Sequence, residues 1–199
     1  MRHTFAQWIP AFPEHYKGQP WTVRFNRDHL NGYWMDEGEQ IQNWDPSLEA
    51  VSSDGPDVSL DFMFADHAWP LFSKRLQLLL NDGWPETFQF LPFTFSPKDK
   101  SYVNADFSVG QCLHLVDGLD RDRTGVDNDD WTPRANGTLR VNYPYYVIYN
   151  RVKNCPAFRL VGSAVQLFIR NDVQQAILES GYTGSRFDQN HPICTFDKD

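Results

Sequence analysis

The sequence is short of cysteine, of positive charge and of long apolar runs, and each shortage excludes a class of protein. Its three cysteines are odd in number and lack CxxC spacing, so they predict neither a disulfide framework nor a thiolate metal site and fit a reducing compartment. Eighteen Lys and Arg stand against 26 Asp and Glu, and the resulting net charge of −8 is unlike that of a basic nucleic-acid-binding protein. We therefore expect no nucleic-acid partner.

No stretch of the chain has the continuous apolar core of a membrane span or a signal peptide. The first 20 residues are interrupted by Pro10, Pro13, Glu14 and Pro20. We therefore expect a cytoplasmic protein that has no membrane partner.

The chain is instead rich in the residues that build a core. Of its 199 residues, 41% are hydrophobic and 15% are aromatic, as in a folded globular protein. We predict one continuous globular unit. In it, residues 1–57 form N-terminal strands and a loop that pack on an α+β domain of residues 58–199.

Two segments have the apolar spacing of an amphipathic helix. The first predicted helix begins at Ser73 and ends at Gly83, which stands where a C-terminal cap belongs. The second begins at Asn171 or Asp172, either of which is a favourable N-cap, and ends at Gly181.

Elsewhere apolar and polar residues alternate, as in strands that bury one face. The alternation predicts strands within residues 21–25, 30–34, 58–64, 87–95, 102–116, 138–149 and 156–169, whereas the polar residues 36–57 predict a long loop. Pro92 predicts an edge strand or a bulge. The predicted fold class is α+β, a mostly antiparallel β-sheet with two helices packed on it.

The two helical segments resemble each other in sequence. Each runs strand, helix, glycine-aromatic and strand, with Gly83-Trp84 in the first segment and Gly181-Tyr182 in the second. Either a common supersecondary pattern occurs twice, or the chain contains an internal duplication that gives two similar halves.

The negative charge is concentrated in one part of the chain. Residues 1–130 sum to −11 and the remainder to +3, and the densest acidic stretch is 117–130. Such a loop would steer a basic partner, and an aromatic side chain beside it could anchor the complex. The predicted partner-binding residues are Asp117, Asp120, Asp122, Asp127, Asp129, Asp130 and Trp131.

Catalytic motifs are lacking. HExxH, GxSxG and Gly-rich phosphate loops do not occur, and the six histidines are scattered singly. The best metal candidate, Asp120, Asp122 and Thr124 followed by Gly125, matches half of a calcium-binding loop, but Trp131 replaces the closing glutamate. We predict no catalytic residue and no cofactor. The alternative is a metal-dependent hydrolase or transferase that uses aspartates around residues 117–130.

Several sequence blocks occur in an order that resembles one protein family. They are residues 69–80 with 88–92, then 102–104, then 112–120, and last 167–173 with 181–187. In this order they are similar to the blocks of immunity family eleven and its relatives, from bacterial polymorphic toxin systems. The resemblance covers about residues 58–190. Arg170 departs from the family pattern, in which serine is usual, and Gln174 and Gln175 make the charged face of the second helix thinner.

The resemblance implies a non-catalytic protein that binds and neutralises a cognate toxin, and so protects the producing cell or its kin in competition between bacteria. A toxin with a basic surface would fit the acidic loop. The sequence leaves open whether the chain also forms a homo-oligomer. A scaffold domain without a toxin partner is the plainer alternative.

Overall fold

The computed structural model describes residues 2–11, 23–25, 38–52, 60–65, 69–97, 104, 106–124 and 144–196. These residues contain strands β1 (Phe5–Pro10), β2 (Val23–Phe25), β3 (Glu49–Ser52), β4 (Phe62–Phe64), β5 (Pro70–Ser73), β6 (Phe88–Pro92), β7 (Thr94–Pro97), β8 (Phe107–Cys112), β9 (Leu115–Val116), β10 (Tyr146–Ile148), β11 (Ala157–Leu160), β12 (Ser163–Arg170), β13 (Ser185–Asp188) and β14 (Ile193–Thr195). They also contain helices α1 (Lys74–Gly83), α2 (Tyr149–Val152) and α3 (Asn171–Glu179).

Two sheets share one strand order, so the two strand-helix-strand units lie in equivalent surroundings. In the first sheet, β5 and β6 flank β8 and run antiparallel to it, and β4 pairs with the outer side of β5. In the second sheet, β12 and β13 flank β1 in the same way, with β11 outside β12 and β9 beyond it. The sequence similarity of the two units is thus matched by their topology.

The α+β class is confirmed, and both predicted helices are present. Helix α1 begins after Ser73, whose hydroxyl accepts the N–H of Leu76 at 3.3 Å, and it ends at Gly83. Helix α3 is followed by Gly181, whose φ of +68° is the left-handed conformation of a C-terminal cap glycine. The third helix, α2, is a single turn that was not predicted.

The prediction that Asn171 or Asp172 is the N-cap of α3 is wrong by one or two residues. Arg170 is the N-cap residue and makes no side-chain cap hydrogen bond. Asn171 is already helical, and its Oδ1 accepts the N–H of Thr4 at 3.3 Å. The side chain that favoured a cap therefore holds the N-terminal strand instead.

Strand β3 lies in the stretch that the sequence predicts as a loop, so that prediction is wrong there. It pairs antiparallel with β2 and parallel with β7. Its fully buried residue is Ala50, a small side chain that adds little to an apolar pattern. The prediction for Pro92 is confirmed, because it ends β6, an edge strand of the first sheet. The predicted strand 30–34 and residues 138–143 lie outside the described residues.

The core between the two units is built on a residue of the N-terminal strand. Trp8 is fully buried and stacks on Phe62, with ring centroids 4.2 Å apart, while Phe72 meets it edge-on. Leu76 of α1 and Ile177 of α3 belong to the same apolar cluster. Strand β1 is thus part of the core between the two units, while the predicted boundary at residue 57 stays a prediction.

Asp61, just before β4, joins the two units by hydrogen bonds. Its carboxylate accepts Nε and Nη2 of Arg75, each at 2.6 Å, and the hydroxyl of Ser73 at 2.7 Å. It also accepts the N–H of Thr183 at 2.9 Å, just beyond α3. Gly184 is required beside this junction, because it has a φ of +84° and an added Cβ would lie 2.2 Å from the carbonyl oxygen of Phe62.

The hydrogen bonds set the ionisation of Asp61. Burial by itself would raise the pKa of its carboxyl, but the bonds from Arg75, Thr183 and Ser73 outweigh burial and lower the pKa below its usual range. The carboxyl pKa is therefore lower in the folded than in the unfolded chain. Its contribution to stability is complete above the ordinary aspartate range and is lost as the pH falls towards the folded-state value.

We expect Asp61→Asn to lower the free energy of unfolding at pH 7 by about 2–4 kcal/mol, because it removes the charge that Arg75 and Thr183 bind. The difference from the unaltered protein should shrink as the pH falls below about 4, because the carboxyl of the unfolded chain becomes protonated there, and the folded-state carboxyl follows at lower pH. Urea unfolding between pH 3 and pH 7 measures this. The exposed Asp82→Asn is the control and should change little, and a deficit that stays constant with pH would contradict the assignment.

Candidate partner-binding surface

The described part of the acidic loop is held to the fold by main-chain hydrogen bonds. Residues 117–124 follow β9, and Leu119 forms a bridge with Val147 of β10. The N–H of Asp120 donates to the carbonyl of Tyr146 at 2.8 Å, and the N–H of Ile148 donates to Gly118 at 2.8 Å. The described start of the loop is therefore held against β10.

Asp120 points into the protein, and its side chain is fully buried. Its Oδ1 accepts the N–H of Arg123 at 3.3 Å, and Nε of Arg123 lies 3.9 Å from Oδ2. Thr124 is also buried, and both its hydroxyl and its N–H donate to the carbonyl of Asp120, at 2.6 and 3.0 Å. Asp120 and Thr124 thus close a turn, while the assignment of Asp120 to partner binding stays a prediction.

Asp117 and Asp122 lie on the surface, as the docking prediction requires. The side chain of Asp117 is 61% exposed and has two arginine neighbours, with Nη1 of Arg151 at 3.5 Å and Nη2 of Arg121 at 3.9 Å. Arg151 also donates to the main-chain carbonyl of Asp117. Surface ion pairs of this kind contribute little to stability but offset the local potential.

The described half of the loop therefore carries little excess charge. Its three aspartates are balanced by two arginines of the loop and by Arg151. The predicted negative surface thus depends on the remaining members of the set. Asp127, Asp129, Asp130 and Trp131 lie outside the described residues.

The three candidate metal-ligating residues do not point to a common centre. The hydroxyl of Thr124 donates to a carbonyl, the Asp120 carboxylate faces Arg123, and Asp122 is exposed. Within the described ranges, no three His, Cys, Asp or Glu side chains are grouped so that they could hold a metal ion.

The cysteines are free thiols whose pKa values burial raises. The pKa of fully buried Cys112 is raised to about 11, and that of Cys194 is also raised to about 11. Burial raises the pKa of Cys155 as well. Thiols that stay protonated at neutral pH are poor nucleophiles, so none of the three cysteines is activated for nucleophilic attack.

A polar cleft of about 540 Å³ lies where the N-terminal strand meets the start of α3, and the sequence did not predict it. Its one carboxylate, Asp172, is held by Nε and Nη2 of Arg170 at 2.7 and 2.8 Å and accepts the indole N–H of Trp84 at 3.3 Å. The sequence feature that could have indicated this cleft is the departure from the family pattern at Arg170, Gln174 and Gln175. The lining residues are Thr4, Phe5, Asn171, Asp172, Gln174, Gln175 and Gln189.

Comparison with known proteins relates the chain to one family. The family model described as "Immunity protein family (Imm11)" matches residues 8–191. The match begins about 50 residues before residue 58, where the resemblance recognised in the sequence begins, so it includes the second half of β1. No curated protein matches the chain. None of the described helices has the length and apolar character needed to cross a membrane.

We expect Asp120→Ala to lower the free energy of unfolding by about 1–3 kcal/mol, because it removes a buried carboxylate that accepts a main-chain N–H. Asp122→Ala, two residues away on the exposed side of the same turn, is the matched control and should change it by less than about 0.5 kcal/mol. Urea denaturation midpoints compare the two variants. Equal midpoints would contradict the structural role assigned to Asp120.

Proposed function

Because this chain belongs to the Imm11 immunity protein family, we propose that it binds a cognate bacterial toxin in the cytoplasm of the producing cell and neutralises it by direct protein–protein contact. The observation that carries the proposal is the family match over residues 8–191. In this role the protein is an inhibitor and not an enzyme, and it protects the cell from a toxin of its own system.

The structure supports the proposal with a rigid base for the acidic loop. Main-chain bonds from Gly118 and Asp120 hold the loop to β10, and the buried turn of Asp120 and Thr124 fixes where the chain continues. A loop held at its base loses less conformational entropy when it binds than a free segment would.

We propose that the acidic residues of this loop steer a basic toxin and that Trp131 anchors it. Complementary potentials raise the rate of encounter, whereas an aromatic side chain buried in the partner slows dissociation. Exposed Asp117 and Asp122 precede these residues, and Asp117 is already paired with Arg121 and Arg151, so we assign most of the steering to the acidic residues that follow. The surface residues of this proposal are Asp117, Asp122, Asp127, Asp129, Asp130 and Trp131.

Co-expression tests the proposed function. The toxin encoded beside this chain is expressed in a bacterial host, with and without this protein, and growth is measured. We expect growth to be restored and a complex to be recovered by size-exclusion chromatography. A catalytically inactive toxin supplies material for binding, and an unrelated toxin controls for specificity. Absence of both rescue and complex would refute the proposal.

Charge reversal tests the steering role of the loop. We expect the triple variant Asp127→Lys, Asp129→Lys, Asp130→Lys to associate with the toxin at least about tenfold more slowly at low salt, because the attractive potential is reversed. Its association rate should also depend less on the salt concentration. Stopped-flow association at several salt concentrations measures both quantities, and circular dichroism checks folding. Glu179→Lys, on the exposed side of α3, is the single-charge control. Association that is unchanged across the salt series would remove the loop from the interface.

A further inference from the structure

Strand β6 has an outer edge with no neighbouring strand in the described part of the chain. It pairs with β8 on one side and is the last strand of its sheet. Thr87 accepts the N–H of Leu113, so Gln89 and Leu91 are the residues of β6 that hydrogen-bond to β8. The main-chain N–H and C=O groups of Phe88 and Phe90 therefore face away from the sheet.

These outward groups make no hydrogen bond among the described residues. The next outward group, the carbonyl of Pro92, accepts the indole N–H of Trp44 at 2.7 Å, which closes that end of the edge. The open strip thus spans two outward residues with four main-chain hydrogen-bonding groups. An extended polypeptide is the ligand that matches such groups at a sheet edge.

The two phenylalanines of this edge share one face of the strand, and the amide of Gln89 lies on the other. Phe90 is half-buried and meets the ring of Phe72, with centroids 5.6 Å apart. On the opposite face, the amide of Gln89 accepts the N–H of Ile41 at 2.8 Å and donates to its carbonyl at 2.9 Å. Residues 38–48 therefore lie beside β6 without forming a strand on its edge.

Exposed carboxylates occur in the described segments next to the strip. Three segments border it: residues 81–97, residues 38–48, which reach it through Gln89 and Trp44, and residues 106–113 of the paired strand. None of these segments contains a lysine or an arginine. Their exposed acidic residues are Glu39, Asp45, Asp82, Glu86 and Asp106.

The equivalent edge strand of the second sheet, β13, is not free of cations. Arg186 in β13 supplies a cation, and Thr183 just before the strand accepts the main-chain N–H groups of Asp61 and Phe62 through its carbonyl. The hydroxyl of Ser185 in this strand accepts the indole N–H of Trp8 at 2.9 Å. Of the two equivalent edges, β6 alone combines open main-chain groups with an unbalanced acidic border.

We propose that the outer edge of β6, at Phe88 and Phe90, binds an extended basic segment of the cognate toxin as an added β-strand. The inference rests on the proposed immunity function and adds the mode of contact and the chemistry of the partner segment. Main-chain hydrogen bonds supply affinity, and lysine or arginine side chains of the toxin segment meet the five carboxylates. A second copy of this chain fits less well, because pairing two such edges would bring two acidic borders together.

Residue-resolved amide hydrogen exchange tests the proposal on the unaltered protein. The amides of Phe88 and Phe90 should exchange quickly in the free protein and at least about tenfold more slowly in the complex with catalytically inactive toxin. The amides of Gln89 and Leu91, which already bond to β8, are internal controls and should be slow in both states. A complex that leaves Phe88 and Phe90 unprotected would overturn this proposal while the immunity function stands.

A matched pair of variants measures the contribution of one outward hydrogen bond. Phe90→Leu and Phe90→Pro both remove the ring, but only the proline variant removes an N–H, and that N–H takes no part in the pairing with β8. We expect the proline variant to bind the toxin about three- to tenfold more weakly than the leucine variant. Equal affinities would contradict the added strand. If the proline variant does not fold, the hydrogen-exchange measurement on the unaltered protein tests the proposal instead.

The outcomes separate the two levels of the inference. Failure of the unaltered protein to bind the toxin at all would refute the immunity function and this proposal together. Protection of Phe88 and Phe90 that grows with protein concentration in the absence of toxin would assign the edge to a second copy of the chain and overturn the toxin segment as its occupant.

Discussion

A single buried carboxylate ties the two halves of this molecule together. Asp61 accepts hydrogen bonds from Arg75 at the start of α1 and from Thr183 beyond the end of α3. Each helix belongs to one of the two similar sheets, so the junction fixes one sheet relative to the other. The fit is close, since Gly184 leaves no room for a side chain against the carbonyl of Phe62. The core around Trp8 then fills the space between the sheets.

The net charge follows from the sequence, but folding decides where that charge lies on the surface. The acidic loop is the densest run of aspartate in the chain, yet in its described half Asp120 is buried and Asp117 lies beside Arg151, which is 34 residues away in sequence. The border of β6 draws carboxylates from three separate segments that contain no arginine or lysine. Local charge density in a sequence is therefore a poor guide to the potential at a surface, because distant residues complete or cancel it.

The elements that the sequence predicted correctly depend on local chemistry. The helix after Ser73 has apolar residues at helical spacing and a hydroxyl that caps it, and Pro92, which has no N–H to donate, ends an edge strand. The predicted loop at β3 and the predicted N-cap of α3 were wrong for the same reason. Ala50 lies in a strand because β3 pairs with β2 and with β7, which are distant in sequence. The side chain of Asn171 accepts the N–H of Thr4 instead of capping the helix. Pairing over long sequence separations leaves almost no trace in a local pattern.

The sequence by itself determined the fold class, the places of α1 and α3, the similarity of the two strand-helix-strand units and the immunity family, since all of these rest on spacing and on the order of short motifs. Only the tertiary structure decided that Trp8 of the N-terminal strand lies in the core between the two units, that Asp120 faces inward while Asp122 faces outward, and that β6 has an open edge among the described residues. Those outcomes depend on which distant segments meet. Burial and hydrogen bonding are properties of the folded neighbourhood and not of the residue.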